Sequence, residues 1–259
     1  MTTVTADRHA LRLVHIRPPA ELTGEREQWL VDGLTAALPS LRMRELFALR
    51  RDMFRSAGLI TVAVGPDGNA VGALASRRDR LPSGAQLLHA TTQFVAEGLR
   101  HTGVFRASWG AHFAALGHTA DDLPLLIALK TYNPVVLCGM RAFTRIPGTS
   151  LYPDCTGAPQ DRAHAERAAR IAALLAPGHP FDPATGVISG IGIPPDLYPR
   201  LPRCRDEAVN AHFARATRPG DRVLCVFDVG TRAGAAALLR AFGAATAATA
   251  ATGTGGAAR

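Results

Sequence analysis

A chain of 259 residues with 47% hydrophobic and 19% charged content has the balance of a folded globular protein, long enough for one large domain or two small ones. No apolar run reaches the roughly 18–20 residues that a bilayer span needs, and the start, MTTVTADRHALRLVHIRPP, lacks the blocks of a secretory leader, so a cytoplasmic location is expected. The formal charge of +8 admits a polyanionic partner; of the 29 lysines and arginines only Lys130 is lysine. Codon bias that inflates arginine and alanine together accounts for the same excess.

Leu11 to Ile16 reads as a strand closed by Pro18 and Pro19. Thr23, followed by Glu25 and Glu27, opens a helix to about Leu38. Ser40 is placed to cap a second helix running to Gly58, with Met43, Leu46, Phe47, Met53 and Phe54 on its apolar stripe and Arg44, Arg51 and Arg55 on another face. LITVAV, the turn PDGN and AVGALAS form a hairpin, and a polar loop RRDRLPSG leads to a further strand, AQLLHATTQFVA. FVAEGLRHTGVFRASWGAHFAAL then turns through Gly103 into a helix ending near Gly117. LPLLIAL is a short buried strand and NPVVLCGMRAF a helix. The order to this point is β-α-α-β-β-β-α-β-α.

Beyond Arg145 a helix over Gln160–Ala176 precedes a proline-rich stretch with one strand near Gly186–Ile191. A helix near Asp206–Ala216, the strand DRVLCVFDV and a helix over Ala233–Phe242 follow, and the tail 244–259 is low-complexity and expected to be disordered.

Cys138, Cys155, Cys204 and Cys225 never form a CxxC pair, and HExxH, Walker and GxSxG elements are missing. The later segment carries His164, His179, His212, Asp154 and Asp182 without metal-ligand spacing, so no metal is expected. The strand-to-helix junction at Arg100–Phe105 is the chemically suggestive element. Backbone amides at a helix N-terminus converge on one spot where the dipole favours an anion, and glycine lets a phosphate approach. The same junction also serves as a plain connection.

Arg100-His101-Thr102-Gly103-Val104-Phe105, lying between the fourth expected strand and the third helix, resembles the Q/R-x-x-G-x-G/A signature of the GNAT acyltransferase superfamily. LKTYNPVV resembles the fifth strand and fourth helix of that family, with Asn133 at the usual asparagine. The resemblance covers Leu11 to Phe143 and implies an α/β (α+β) fold, a mixed central sheet splayed into a V, with flanking helices and a helical insertion before the closing strands. It divides the chain into a domain over 1–232 (core 11–143, insertion about 153–219, closing strand 222–229), a C-terminal helix over 233–243 and the tail.

Several roles follow from the resemblance. A coenzyme A thioester is the donor, its pyrophosphate on Arg100 to Phe105 and its pantetheine along Thr92 to Val95, so that Gln93, Phe94 and Val95 join Asn133 as binding residues. Phe105 stands where the family has glycine or alanine; it either packs inward or shrinks the pocket. The family's tyrosine acid falls on Met140, which has no proton to donate, and Tyr132 is the nearby substitute. The family's glutamate base falls on His89, which titrates near neutrality. Gln93 positions substrate if period-two alternation puts it on His89's face, and Glu97 orients the loop backbone.

The leading reading is direct acyl transfer to the amine of a small molecule, with the amides of the fourth strand as oxyanion site. An acyl- or aminoacyl-tRNA donor in small-molecule biosynthesis is the alternative, drawing on Arg44, Arg51, Arg55, Arg77, Arg78 and Arg80. A fold that has lost acyl transfer and binds or converts another small molecule is the third reading.

Overall fold

The computed structural model describes residues 2–6, 9–50, 53–100 and 102–243. Arg51, His101 and the tail 244–259 lie outside the described residues. One ten-stranded sheet organises the chain, in the order β1-β2-β3-β4-β5-β6-β10-β9-β8, with β7 also on β10. The strands are β1 (Thr2–Ala6), β2 (His9–Ile16), β3 (Leu59–Val64), β4 (Ala70–Arg80), β5 (Gln86–Val95), β6 (Leu126–Thr131), β7 (Ser150–Tyr152), β8 (Phe181–Asp182), β9 (Val187–Ile188) and β10 (Arg222–Asp228). Every pair is antiparallel except β5 with β6.

The helices are α1 (Gly24–Ala37), α2 (Met43–Leu49), α3 (Val104–Leu116), α4 (Pro134–Arg141), α5 (Arg162–Leu175), α6 (Glu207–Ala216) and α7 (Arg232–Ala241). Among them none is long and apolar enough to cross a membrane. Helices α3, α4, α6 and α7 cover one face of the sheet, over Leu74, Leu88, Ile127 and Phe227. Helices α1, α2 and α5 cover the other, over Val62, Ala73, Leu87 and Ala128. The fold is GNAT-like: a mixed sheet, flanked by helices, whose central parallel pair comes apart.

That separation has a local cause. In the β4–β5 pairing Ser76 meets Ala90 and Ala75 meets Thr92, leaving Thr91 as an extra residue. Its hydroxyl donates to the Ala75 carbonyl at 3.3 Å. A bulge of this kind bends its strand and sharpens the twist. The β5–β6 pairing ends at Ala90 and Leu129, one residue before the bulge. On the other side, Thr131 Oγ1 accepts from the Asn133 amide and Asn133 Oδ1 accepts from Val135 at the start of α4. Pro134 fills the first helical position, where a missing N–H costs no hydrogen bond.

Several sequence expectations need correction. Helix α2 ends at Leu49 rather than Gly58, and it has no side-chain cap. Ser40 instead donates to the Glu97 carboxylate, so Glu97 is engaged there rather than in orienting the loop backbone. Arg77 to Arg80 continue β4 rather than forming a loop. The proline-rich stretch holds two short strands, β8 and β9, paired at the sheet edge. Strands β1 and β7 were not expected at all.

A buried polar chain ties α3 to the sheet. His112 is fully buried, with Nδ1 2.8 Å from Thr61 Oγ1 and Nε2 2.7 Å from Ser76 Oγ, while His15 Nδ1 lies 3.1 Å from the same threonine. One arrangement satisfies all of them: Ser76 donates to His112, His112 to Thr61, and Thr61 to His15. Burial pushes the His112 pKa down to about 3, and burial lowers His15 as well. The unfolded chain therefore takes up a proton below about pH 6.5 that the native state refuses. Urea unfolding midpoints are expected to fall from about pH 7.5 to about pH 5, His112 alone contributing up to about 1.4 kcal/mol per pH unit. His112→Asn should lower stability at neutral pH yet flatten that slope; an unchanged slope disproves the assignment.

Candidate active site

Past the bulge, two cavities meet at the open edge of β5. The first, about 590 Å³, lies between α3 and α4 and reaches Gln93, Phe94 and Val95. Phe105, Val135, Val136 and Phe143 make its walls largely apolar, while Arg100, Arg106, Arg145 and Arg205 make it basic. The second, about 470 Å³, lies on the opposite face under α2, the end of α5 and the loop 191–198. Gln93, Phe94, Val136 and Tyr198 line both.

Gly103 stands at the N-cap of α3 with φ of 86°, a conformation that favours glycine, and no side chain caps the helix. A Cβ there would meet nothing within 4 Å, so the backbone faces open space in the first cavity. The first-turn amides of α3 have no acceptor within their own helix. Arg100 and Asn133 line the same cavity. Val104 is buried in the core, and Thr102 donates to the Leu99 carbonyl at 2.7 Å. This basic, apolar-walled cleft ends at a bare helix N-terminus, where the dipole favours an anionic group.

Phe105 is accommodated by its partner helix. Its ring packs 5.7 Å from that of Phe143, and a Cβ on Gly139 of α4 would sit 3.1 Å from the ring edge. The missing side chain at 139 returns the room that the bulky residue at 105 takes.

His89 lines the second cavity, almost fully buried, with Nδ1 3.2 Å from Asp79 Oδ2. Asp79 also accepts from Arg77 Nε at 3.0 Å. The carboxylate holds the proton on Nδ1, which leaves the Nε2 lone pair buried and without a hydrogen-bond partner. Burial lowers the His89 pKa, against the opposing pull of Asp79, so the ring is neutral at physiological pH. The His89 hydrogen bond is in turn the main cause of Asp79's lowered pKa.

The bulge overturns the expected pairing of His89 with Gln93. On β4, Ala73, Ala75 and Arg77 share a face, and they pair with Phe94, Thr92 and His89. Gln93 pairs with Leu74 and faces α3 instead. Thr92, whose buried hydroxyl also has no partner, is the residue beside His89.

Tyr132 lines neither cavity; its ring lies 5.9 Å from Tyr198 and under the Arg222 guanidinium. Met140 is core. Tyr198, from the segment before β10, reaches both cavities, and burial raises its pKa against the pull of Arg222, an Asn133 hydrogen bond and Arg100. Nothing local in GIGIPPDLYPRLP marked it. Lys130 and Arg222 in the second cavity were also missed, although a single lysine in so arginine-rich a chain was a signal.

Several of the arginines considered for a tRNA surface are engaged within the chain. Arg55 pairs with Glu27, Arg77 with Asp79, and Arg78 bonds His118, while Arg44 and Arg80 are exposed. Among the described residues no group of three or more His, Cys, Asp or Glu is placed to hold a metal.

No protein-family model matches the chain, and no curated protein matches it. Solved structures do. Diaminobutyrate acetyltransferase EctA from Paenibacillus lautus, in complex with L-2,4-diaminobutyric acid and coenzyme A, is 16% identical at a TM-score of 0.37, covering 85% of this chain and 96% of its own. A GNAT-family acetyltransferase from Staphylococcus aureus is 12% identical at 0.36, covering 56% and 86%. A histone acetyltransferase HPA2-related protein from Corynebacterium glutamicum is 19% identical at 0.36, covering 54% and 86%. The fold assignment rests on the strand order and the parted parallel pair.

The fit of residues 105 and 139 is testable by a double-mutant cycle on urea midpoints. Alanine is a better helix former than glycine by about 0.8–1 kcal/mol. Gly139→Ala should recover that gain only when Phe105 is also alanine, giving a coupling of at least about 0.5 kcal/mol. Additive effects would show that the two residues do not constrain each other.

Proposed function

We propose that the chain is an N-acyltransferase working by direct transfer from an acyl-CoA to the amine of a small molecule. One observation carries this reading: the two cavities, on opposite faces of the sheet, share Gln93, Phe94, Val136 and Tyr198 in their walls where β5 and β6 part. A thioester in the first cavity and an amine in the second would meet there without a covalent enzyme intermediate. Acyl-CoA is favoured over charged tRNA as donor because Gly139 accommodates Phe105 and because Arg55, Arg77 and Arg78 are already engaged within the chain.

The chemistry assigns roles to this chain's own groups. His89 Nε2 takes a proton from the attacking amine, directly or through a water, while Asp79 steadies the ring. The nitrogen bonds to the thioester carbon, and the resulting oxyanion lies near the β5 backbone past Ala90, where pairing with β6 has ended. The C–S bond then breaks, and Tyr198, kept protonated by burial, donates its proton to the thiolate. Products are an amide and free coenzyme A. Tyr198 here takes the acid role that the sequence suggested for Tyr132.

Calorimetric titration with acetyl-CoA and a thiol-release assay across an amine panel test the proposal. Wild type should bind, and His89→Gln and Tyr198→Phe should keep binding while losing about 10²-fold or more in turnover. His89→Gln should also remove the acidic limb of the kcat/KM profile, which falls as pH drops through the lowered pKa of His89. Absence of acetyl-CoA binding, or unchanged rates in both variants, would sink it.

A further inference from the structure

The second cavity has a one-sided charge. Arg77 on β4, Lys130 on β6, Arg222 on β10 and Arg50 at the end of α2 all line it, and among the described residues no aspartate or glutamate does. Asp79 lies behind this wall and is already shared by Arg77 and His89. Three strands thus bring Arg77, Lys130 and Arg222 to one small cavity, and among the described residues only Arg77 of these three is ion-paired with a carboxylate.

Two of these cations are held in place. Arg222 lies with its guanidinium carbon 5.7 Å from the centre of the Tyr132 ring, and NH1 donates to the Asp221 carbonyl at 2.7 Å. Gly192 closes over it, where any Cβ would overlap the guanidinium. Lys130 Nζ donates to the Leu175 carbonyl at 2.7 Å, at the end of α5. Burial, Arg50 and Arg77 together push its pKa down to about 8, the response of an ammonium crowded by like charge. Clustering half-buried cations costs free energy unless something of opposite charge completes the site. His89 and Thr92, whose buried Nε2 and Oγ1 have no hydrogen-bond partner, line the same cavity.

We propose that this cavity takes an acceptor amine carrying an oxyanion group, a carboxylate or a phosphate, clamped by Arg222 and Lys130 so that its amine faces His89. The inference rests on the acyl-transfer reading, and it narrows the acceptor class. Positive surroundings also favour the neutral, nucleophilic form of the amine over its ammonium. A polyamine or other polycation would be repelled.

Acetyl-CoA turnover is measured with L-glutamate, O-phosphoethanolamine, an uncharged alkoxyamine of similar size and cadaverine. One of the first two should exceed the last two by about tenfold or more in kcat/KM, as expected for a charge-assisted bond, and which one wins separates carboxylate from phosphate. Arg222→Gln and Lys130→Gln should each raise the KM of that acceptor about tenfold while acetyl-CoA affinity, the check on folding, is kept. Equal or better use of the uncharged amine or cadaverine overturns the proposal. If no amine turns over, titration of wild type and Arg222→Gln with glutarate and inorganic phosphate decides. Saturable binding that the variant loses supports the anion site and sinks acyl transfer alone; absence of binding overturns the anion site.

Discussion

The site depends on one extra residue in one strand. Thr91 has no partner in β4, and its hydroxyl bonds the Ala75 carbonyl instead. The resulting bend ends the β5–β6 pairing at Ala90 and Leu129, so a sheet that would otherwise be continuous opens at its centre. The same irregularity moves the later β5 side chains to opposite faces. Gln93 turns toward α3, while Thr92 and Phe94 share the face of His89. The gap between the two strands and the composition of each wall thus follow from a single insertion.

Electrostatics divides the labour of the two cavities. Among the described residues neither is lined by a carboxylate, and both are lined by arginines. In the first, the cations flank apolar walls and a helix N-terminus, an environment for a long molecule with a charged end. In the second, the cations crowd a small polar space around a neutral histidine. A histidine buried beside so many positive charges keeps one ring nitrogen bonded only if a carboxylate or another acceptor is at hand. Asp79 supplies it from behind the wall.

Departures from the family pattern are offset by neighbours distant in sequence. Phe105 finds its room at Gly139, across the cleft on the next helix. Met140 is core, and Tyr198 from the segment before β10 lines both cavities. The segment between β7 and β10 therefore contributes to the wall of both cavities, and its Gly192 seats Arg222.

The sequence by itself determined most of the elements: Thr23 capping α1, the β3–β4 hairpin at its PDGN turn, Gly103 opening α3, and Asn133-Pro134 opening α4. Those signals are local, set by caps, turn residues and side-chain period. It also singled out Arg100, Gly103, Asn133 and His89, which the fold brings to the two cavities. The bulge was beyond it, because a one-residue slip in pairing depends on the partner strand and leaves ordinary alternation in AQLLHATTQFVA. So were the fit of Phe105 against Gly139, the reach of Tyr198 and the gathering of Arg50, Arg77, Lys130 and Arg222. Each of these depends on residues far apart in the chain, whose meeting is fixed by strand order and helix packing rather than by any neighbour in sequence.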